Sequence, residues 1–515
     1  MESKRIITFY FTSLMAFILS TTLLVATIVS AQPKASQEVT VAVLIEPDTL
    51  DLTATRLAPI SNPIGNNIYE RMVDIKPSGE LTPGIASWEV LEGGKLIEFT
   101  LRRGIKFHNG DPLTTKDVKF SHDRMLQHND SYKRGMRKFD RLEIVDDYRC
   151  RFYFKKPDVA FLPDRGLFIG SKSYYDKVGE EEFRKNPVGT GPYKFVAWKH
   201  GEFIEIEINE DYWGMKPPVK KARFLFVKED TTRVAMLKTG EADIILQTPF
   251  ALVKEVRSAG FKTVDFPSHP TTSIHINTKN PDVPWGDRRV RLAMAYAIDA
   301  DAIVNELFFG VPNRSARLSS WEVGYDPELK PYPYDPTKAK KLLAEAGYPK
   351  GFEMPLIYTT GRISGQKETT EAVVLYLREV GIKCKVTGME VAQFVNKLRK
   401  IHKDPNPVLV AVGTPPMANF PEAATAIDIT FSTGSPISQY SNPKYDALLE
   451  KIKTTMDERE RGELIKQALR IVHEDVATIS LWANNSVYSM KPNIVFTPTM
   501  KNRDPLILIK DVTIK

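Results

Sequence analysis

Four short constellations in this sequence hold residue types that could do covalent or metal chemistry. Ser364-Gly365-Gln366-Lys367 and Ser441-Asn442-Pro443-Lys444 each set a lysine three positions after a serine, and Lys238-Thr239-Gly240 adds a Lys-Thr-Gly. At a helix start, Ser-x-x-Lys brings an amine beside a hydroxyl and can make it a nucleophile. That machinery needs the Ser-x-x-Lys first and the Lys-Thr-Gly later, on a strand. Here both serines follow Lys238-Thr239-Gly240, which closes a helical pattern. His108, Asp111 and His122 invite a metal, but their spacing lacks the paired histidines of a zinc motif, and His108-Asn109-Gly110-Asp111-Pro112 is turn chemistry. No GxSxG, HExxH, P-loop or complete GxGxxG occurs, and only 8 histidines are present as general bases. The sequence predicts a protein without covalent chemistry, with no cofactor and no bound metal; a secreted serine hydrolase is the alternative from the enzyme class.

The net charge of +7 is mild for a chain of 515 residues. Basic clusters such as Lys133-Arg134 with Arg137-Lys138, and Lys216 with Lys220-Lys221 and Arg223, read as solvated faces, so no nucleic-acid partner is expected. Lys4 and Arg5 precede an apolar run from Ile6 to Val29, and Val29-Ser30-Ala31 is a small-residue cleavage pattern. Residues 1–31 are therefore expected to be a signal peptide cut after Ala31, with a periplasmic mature protein. The run is also long enough to cross a bilayer, so an uncleaved membrane anchor is the alternative. Two cysteines, Cys150 and Cys384, are too few for a disulfide framework and are expected to be buried free thiols, one in each half.

The elements that would hold any site are strands and helices in alternation. Glu38 to Ile45 alternates as a first strand, and Ile64, Ile68 and Met72 mark a short helix ending near Asp74. Two hairpins follow, one around Gly93-Gly94 and one around Asp146-Asp147, with a Thr114–Asp117 capping box opening the helix between them. Asn186 to Tyr193 reads NPVGTGPY, a tight turn into paired strands, and Asn209 to Trp213 reads NEDYW. A helix over Thr231 to Lys238 ends at Gly240 before EADI. Ile274 and Ile276 mark a strand within His269 to Asn277, closed by an NTKNP turn. Beyond it come a helix opened by Asp287 that continues to Gly310, a helix opened by Asp335, strands at 356–358 and 382–386, a helix over 368–380, and helices over 443–453 and 457–473. Val476 to Tyr488 reads as one strand leading back.

The NPVGTGPY turn, the NEDYW segment, the LTPGIASW…FHNGDPLTTKDV stretch, DRRVRLAMAYAID, YDPTKAKKLLAEAGYPKGF and SNPKYDALLEKI resemble family 5 solute-binding proteins of ABC importers. The resemblance covers nearly the whole chain after the signal. It implies an α/β, two-lobed (Venus flytrap) periplasmic-binding-protein fold with an extra subdomain in the first lobe. Residues 38–75, 190–272 and 481–515 would form the core of lobe I, 76–189 the inserted subdomain, and 273–480 lobe II. It also implies a monomer that closes on a small organic ligand, peptide-like, opine-like or saccharide, and delivers it to an ABC permease. A sensing or scavenging binder without a permease is the alternative.

Family members that hold free peptides use an aspartate loop for the ammonium and often an arginine for the carboxylate. Arg362, just after Tyr358, stands in the arginine's segment, and its fork suits a carboxylate. The aspartate loop corresponds to Val408–Asp428, which has no acid from Val408 to Phe420. Asn419 and Phe420 there suit an apolar or neutral ligand, and Trp321 and Trp482 could stack on it. Any ammonium would need another acid, with Glu46, Asp48, Glu422 and Asp428 as candidates. Ligand-binding residues are thus expected to be Arg362, Tyr358, Asn419, Phe420, Trp321, Trp482 and Glu46.

Overall fold

The computed structural model describes residues 37–47, 49–54, 63–76, 80–267, 271–316, 318, 322–360, 365–403, 410–413, 422–496 and 507–515. Arg362, Asn419, Phe420, Trp321, Asp48, Ser364 and the signal region lie outside them. Two large sheets dominate. The first has seven strands in the order Lys262–Pro267, Asn485–Met490, Ile244–Ile245, Glu38–Val43, Lys221–Phe226, Phe203–Ile208, Tyr193–Lys199. Glu38–Val43 runs parallel to both its neighbours, and its alternation of apolar residues buries Val39, Val41 and Val43. The second has five strands in the order Ile382–Glu390, Phe352–Thr360, Val410–Gly413, Thr272–Ile276, Thr478–Trp482. Phe352–Thr360 is parallel to both its neighbours, as a βαβ-built sheet requires.

An antiparallel four-stranded sheet, ordered Ala86–Leu91, Leu96–Leu101, Arg149–Phe154, Phe139–Ile144, is inserted between the first strand and the rest of the seven-stranded sheet. Its own core is aromatic: Phe99, Phe152, Phe154 and Phe161 pack on one another, mostly edge to face, in a cluster that includes buried Cys150. Each such ring contributes about 1.5–3 kcal/mol by leaving water. The capping box forms, with the Thr114 amide donating to Asp117 Oδ2 at 2.9 Å, and opens the helix Thr115–His128. From that helix Arg124 reaches back to the first lobe. It donates to Asp51 Oδ2 at 2.6 Å, to Thr53 Oγ1 at 3.1 Å and to Glu180 Oε2 at 2.5 Å, all but Glu180 buried.

Several expectations need correction. Val476–Tyr488 is two strands, not one: Thr478–Trp482 belongs to the five-stranded sheet and Asn485–Met490 to the seven-stranded sheet. The helix expected to reach Asp74 is only Gly65–Ile68, because Val73–Ile75 pairs with Leu81–Pro83 instead. The helix opened by Asp287 breaks into Arg288–Ala297 and Ala300–Phe308, the second capped by Asp299 accepting from the Ala302 amide. Both cysteines are free, but only Cys150 is fully buried; Cys384 is half-buried. Burial pushes the Cys150 thiol up to about 12, which keeps it protonated and inert.

Candidate functional site

The chain passes between the large sheets twice, and the two passages touch. Lys262–Pro267 leads into Thr272–Ile276, and Thr478–Trp482 leads into Asn485–Met490. Thr272 Oγ1 donates to Asn484 Oδ1 at 2.9 Å across the pair. The Ala483 amide donates to Asn313 O at 2.8 Å, and Asn485 Nδ2 to Val311 O at 3.0 Å. Phe250, from the first sheet's side, meets Phe308 from the second at 5.8 Å between ring centroids. A joint this narrow lets two bodies rotate about a few backbone torsions. Beside it Ser273 and Ser480 are paired in the ladder. Their hydroxyls and Asn485 Oδ1 are buried without a hydrogen-bond partner among the described residues. Buried polar atoms are ordinarily hydrogen-bonded, so the paired serines make a polar spot beside the crossing. A serine interrupting each apolar run, TTSIHI and TISLW, was the sequence signal for it.

Tyr358 sits near the carboxyl end of Phe352–Thr360, the end at which parallel sheets bind ligands. It pairs with Gly388, and a Cβ there would stand 2.9 Å from the Tyr358 ring, so the glycine leaves room for it. Trp482 lies elsewhere in the same sheet, 2 % exposed in its core and 5.1 Å from the Phe308 ring centroid. In this conformation Trp482 is packing and not an open stacking platform. Glu46 follows the first strand of the other sheet. Its carboxylate accepts from Trp198 Nε1 at 2.8 Å and the Gly201 amide at 3.1 Å, with His200 Nδ1 at 3.1 Å.

The other candidate acids among the described residues, Glu422 and Asp428, are engaged too. Glu422 caps the helix Ala423–Phe431 through the Ala424 amide and pairs with buried Arg461 at 3.1 Å. Asp428 pairs with Lys453 at 3.1 Å. No group of three or more His, Cys, Asp or Glu among the described residues could hold a metal. His108 instead pins the NPVGTGPY turn: its Nδ1 accepts from the Gly189 amide at 3.3 Å and its Nε2 donates to Gly191 O at 2.9 Å. His122 is buried against Tyr132, with Nδ1 2.7 Å from its hydroxyl. The serine–lysine motifs are also scattered. Lys238 pairs with Glu255 at a helix end, and Ser441 shares a hydrogen bond with Thr433 at 2.9 Å, ahead of a helix capped by Asn442.

The sequence matches the profile of bacterial extracellular solute-binding proteins, family 5 (middle region), over residues 80–434. This chain belongs to that family. The family 5 binding protein is 30% identical over 470 residues to heme-binding protein A of Haemophilus influenzae, covering 84% of each chain. It is also 30% identical over 440 residues to the glutathione-binding protein GsiB of Pectobacterium atrosepticum, covering 82% of this chain and 84% of that one. In structure it resembles HbpA2 of Haemophilus parasuis, with a TM-score of 0.82 and 25% identity over 93% of this chain and 100% of that one. The two-lobed fold with its inserted subdomain is thus the family's fold. Like its relatives, this binding protein captures a small solute for an ABC importer. Among the described residues no helix is long and apolar enough to cross a membrane.

Proposed function

We propose that this binding protein takes a neutral or anionic organic solute and does not prefer ligands with a free α-ammonium. The observation that carries this is the state of the acids. Glu46, Glu422 and Asp428 are each committed to protein donors, and the segment from Val408 to Phe420 contains no acid. Freeing Glu422 for a ligand ammonium would strand a buried arginine, Arg461, at about 3–5 kcal/mol. Arg362, two residues beyond the strand that carries Tyr358, would clamp an anionic group. Heme, named for the Haemophilus relative, is an anion without an ammonium and fits this reading. Dipeptides and glutathione, named for others, carry an ammonium and fit it less well.

The rest of the reading follows from the export pattern and the scattered serine–lysine motifs: a periplasmic monomer, cut after Ala31, without hydrolytic activity, working with a permease and not with nucleic acid. Calorimetry on the exported protein, which should begin at Gln32, is the test. A panel of heme, opines, oligosaccharides, dipeptides and N-acetylated dipeptides should show no loss of affinity on acetylation. Arg362→Ala should weaken an anionic ligand by ~2–5 kcal/mol and a neutral one far less. Tight dipeptide binding abolished by acetylation would reverse the proposal.

A further inference from the structure

The inserted four-stranded subdomain touches the second lobe at a point separate from the strand crossings. After the strand Arg149–Phe154 the chain runs through Pro157, Asp158, Val159 and Ala160 into the short helix Phe161–Arg165. Phe161 and Leu162 pack in the subdomain's own aromatic core. Val159, between them and the strand, does not. It is 6 % exposed, and it is buried in the apolar cluster of the second lobe's helices, with Ile427, Phe431, Leu449 and Leu469. At the neighbouring hairpin, a Cβ built on Gly94 would stand 2.8 Å from Met456 Cγ, so the Met456 side chain lies directly over the Gly93-Gly94 turn. Met456 joins the helices Pro443–Ile452 and Glu458–Glu474 and packs on the same cluster as Val159.

We infer that Val159 and Met456 form a closure latch, an apolar contact that the two lobes make when shut and break when open. Both sides are held ready for it. Lys138 Nζ donates to Pro157 O at 2.9 Å, and the Lys155 amide to Lys138 O at 2.8 Å. The Phe161 amide donates to Asp158 O at 3.2 Å, so the loop presents Val159 on a fixed turn. On the facing side Arg461 Nη1 donates to Thr455 O at 3.0 Å and Met456 O at 2.9 Å, while its Nη2 donates to Glu422 Oε2 at 3.1 Å. Each half of the contact is therefore built by its own lobe and survives separation. A side chain that leaves its own core for that of a body joined to it only through a narrow hinge stabilises one hinge angle, because apolar burial is realised only there. The glycine at 94, with φ of +90°, has no Cβ to hold Met456 away.

The test uses the full mature protein. In a Val159→Cys, Cys384→Ser background, alkylation of Cys at 159 by iodoacetamide should be slow, and Met456→Ala should speed it at least tenfold. Val159→Ser alone should raise the radius of gyration in X-ray scattering with the melting temperature unchanged. An alkylation rate that Met456→Ala leaves alone overturns the latch. So does a lowered melting temperature with an unchanged radius, which would make the contact a fixed piece of core.

Discussion

At the scale of residues, the histidines that looked like metal ligands govern acid stability instead. Burial lowers His122 from its ordinary value to about 4, so it stays neutral in the folded protein. The unfolded chain binds this proton near pH 6.5. Between pH 6.5 and 4 the unfolded state therefore holds more protons, and stability falls as pH falls. This side chain should make the protein about 2 kcal/mol less stable at pH 5 than at pH 8. Urea unfolding at the two values checks this, and His122→Gln should remove that share of the difference. His108, lowered to about 4 by burial, acts in the same direction. The residue types were legible in the sequence, but their roles were not. HNGDP showed a turn, while nothing in its composition showed that His108 would clasp Gly189 and Gly191 some eighty residues on. The burial of Trp482 was hidden for a similar reason: an aromatic residue in an apolar run has the same periodicity whether it faces a ligand or a core.

At the scale of elements, the most recognisable stretch of the sequence is a joint between backbone segments. The Gly191 amide donates to Ile68 O at 2.9 Å, and Cβ atoms at Gly189 and Gly191 would fall 2.1 and 2.5 Å from that same oxygen. Glu70 then gathers both signature segments, accepting from Thr190 Oγ1 at 3.0 Å, Tyr212 Oη at 2.8 Å and Trp213 Nε1 at 2.7 Å. Gly189→Ala should cost at least the upper end of ~1–3 kcal/mol, since the obstacle is backbone and cannot rotate away. A drop in the thermal midpoint with unchanged ligand affinity in the surviving protein checks it. Strands and helices with strong period, such as Glu38–Val43 and Glu458–Glu474, were readable because burial on one face writes the period into the sequence. The break between Trp482 and Asn485 was not. Both strands are largely buried, and period carries no information about which sheet a strand joins.

At the scale of the whole molecule, the order of strands in the seven-stranded sheet has a consequence for how the chain comes to be folded. Asn485–Met490 lies between Ile244–Ile245 and Lys262–Pro267, with a ladder on each side. The tail beyond it is equally tied in: Asn67 Nδ2 donates to Ile507 O at 3.1 Å, and the Ile509 amide to Asn67 Oδ1 at 2.7 Å. The second lobe's sheet uses only residues between Thr272 and Trp482. Synthesis thus finishes the second lobe first and leaves a gap in the first until the last strand arrives. Such long-range pairing is slow, because the loop must close before the contacts reward it. A chain stopped after Trp482 should keep a protease-resistant fragment beginning near Thr272 and lose the one beginning near Glu38; equal resistance of both would contradict this order. For a member of an extracellular family, a first lobe left open until the chain is complete suits export in an unfolded state. The amino-terminal lobe cannot seal itself into a shape too wide to be threaded until the ribosome has released the other end.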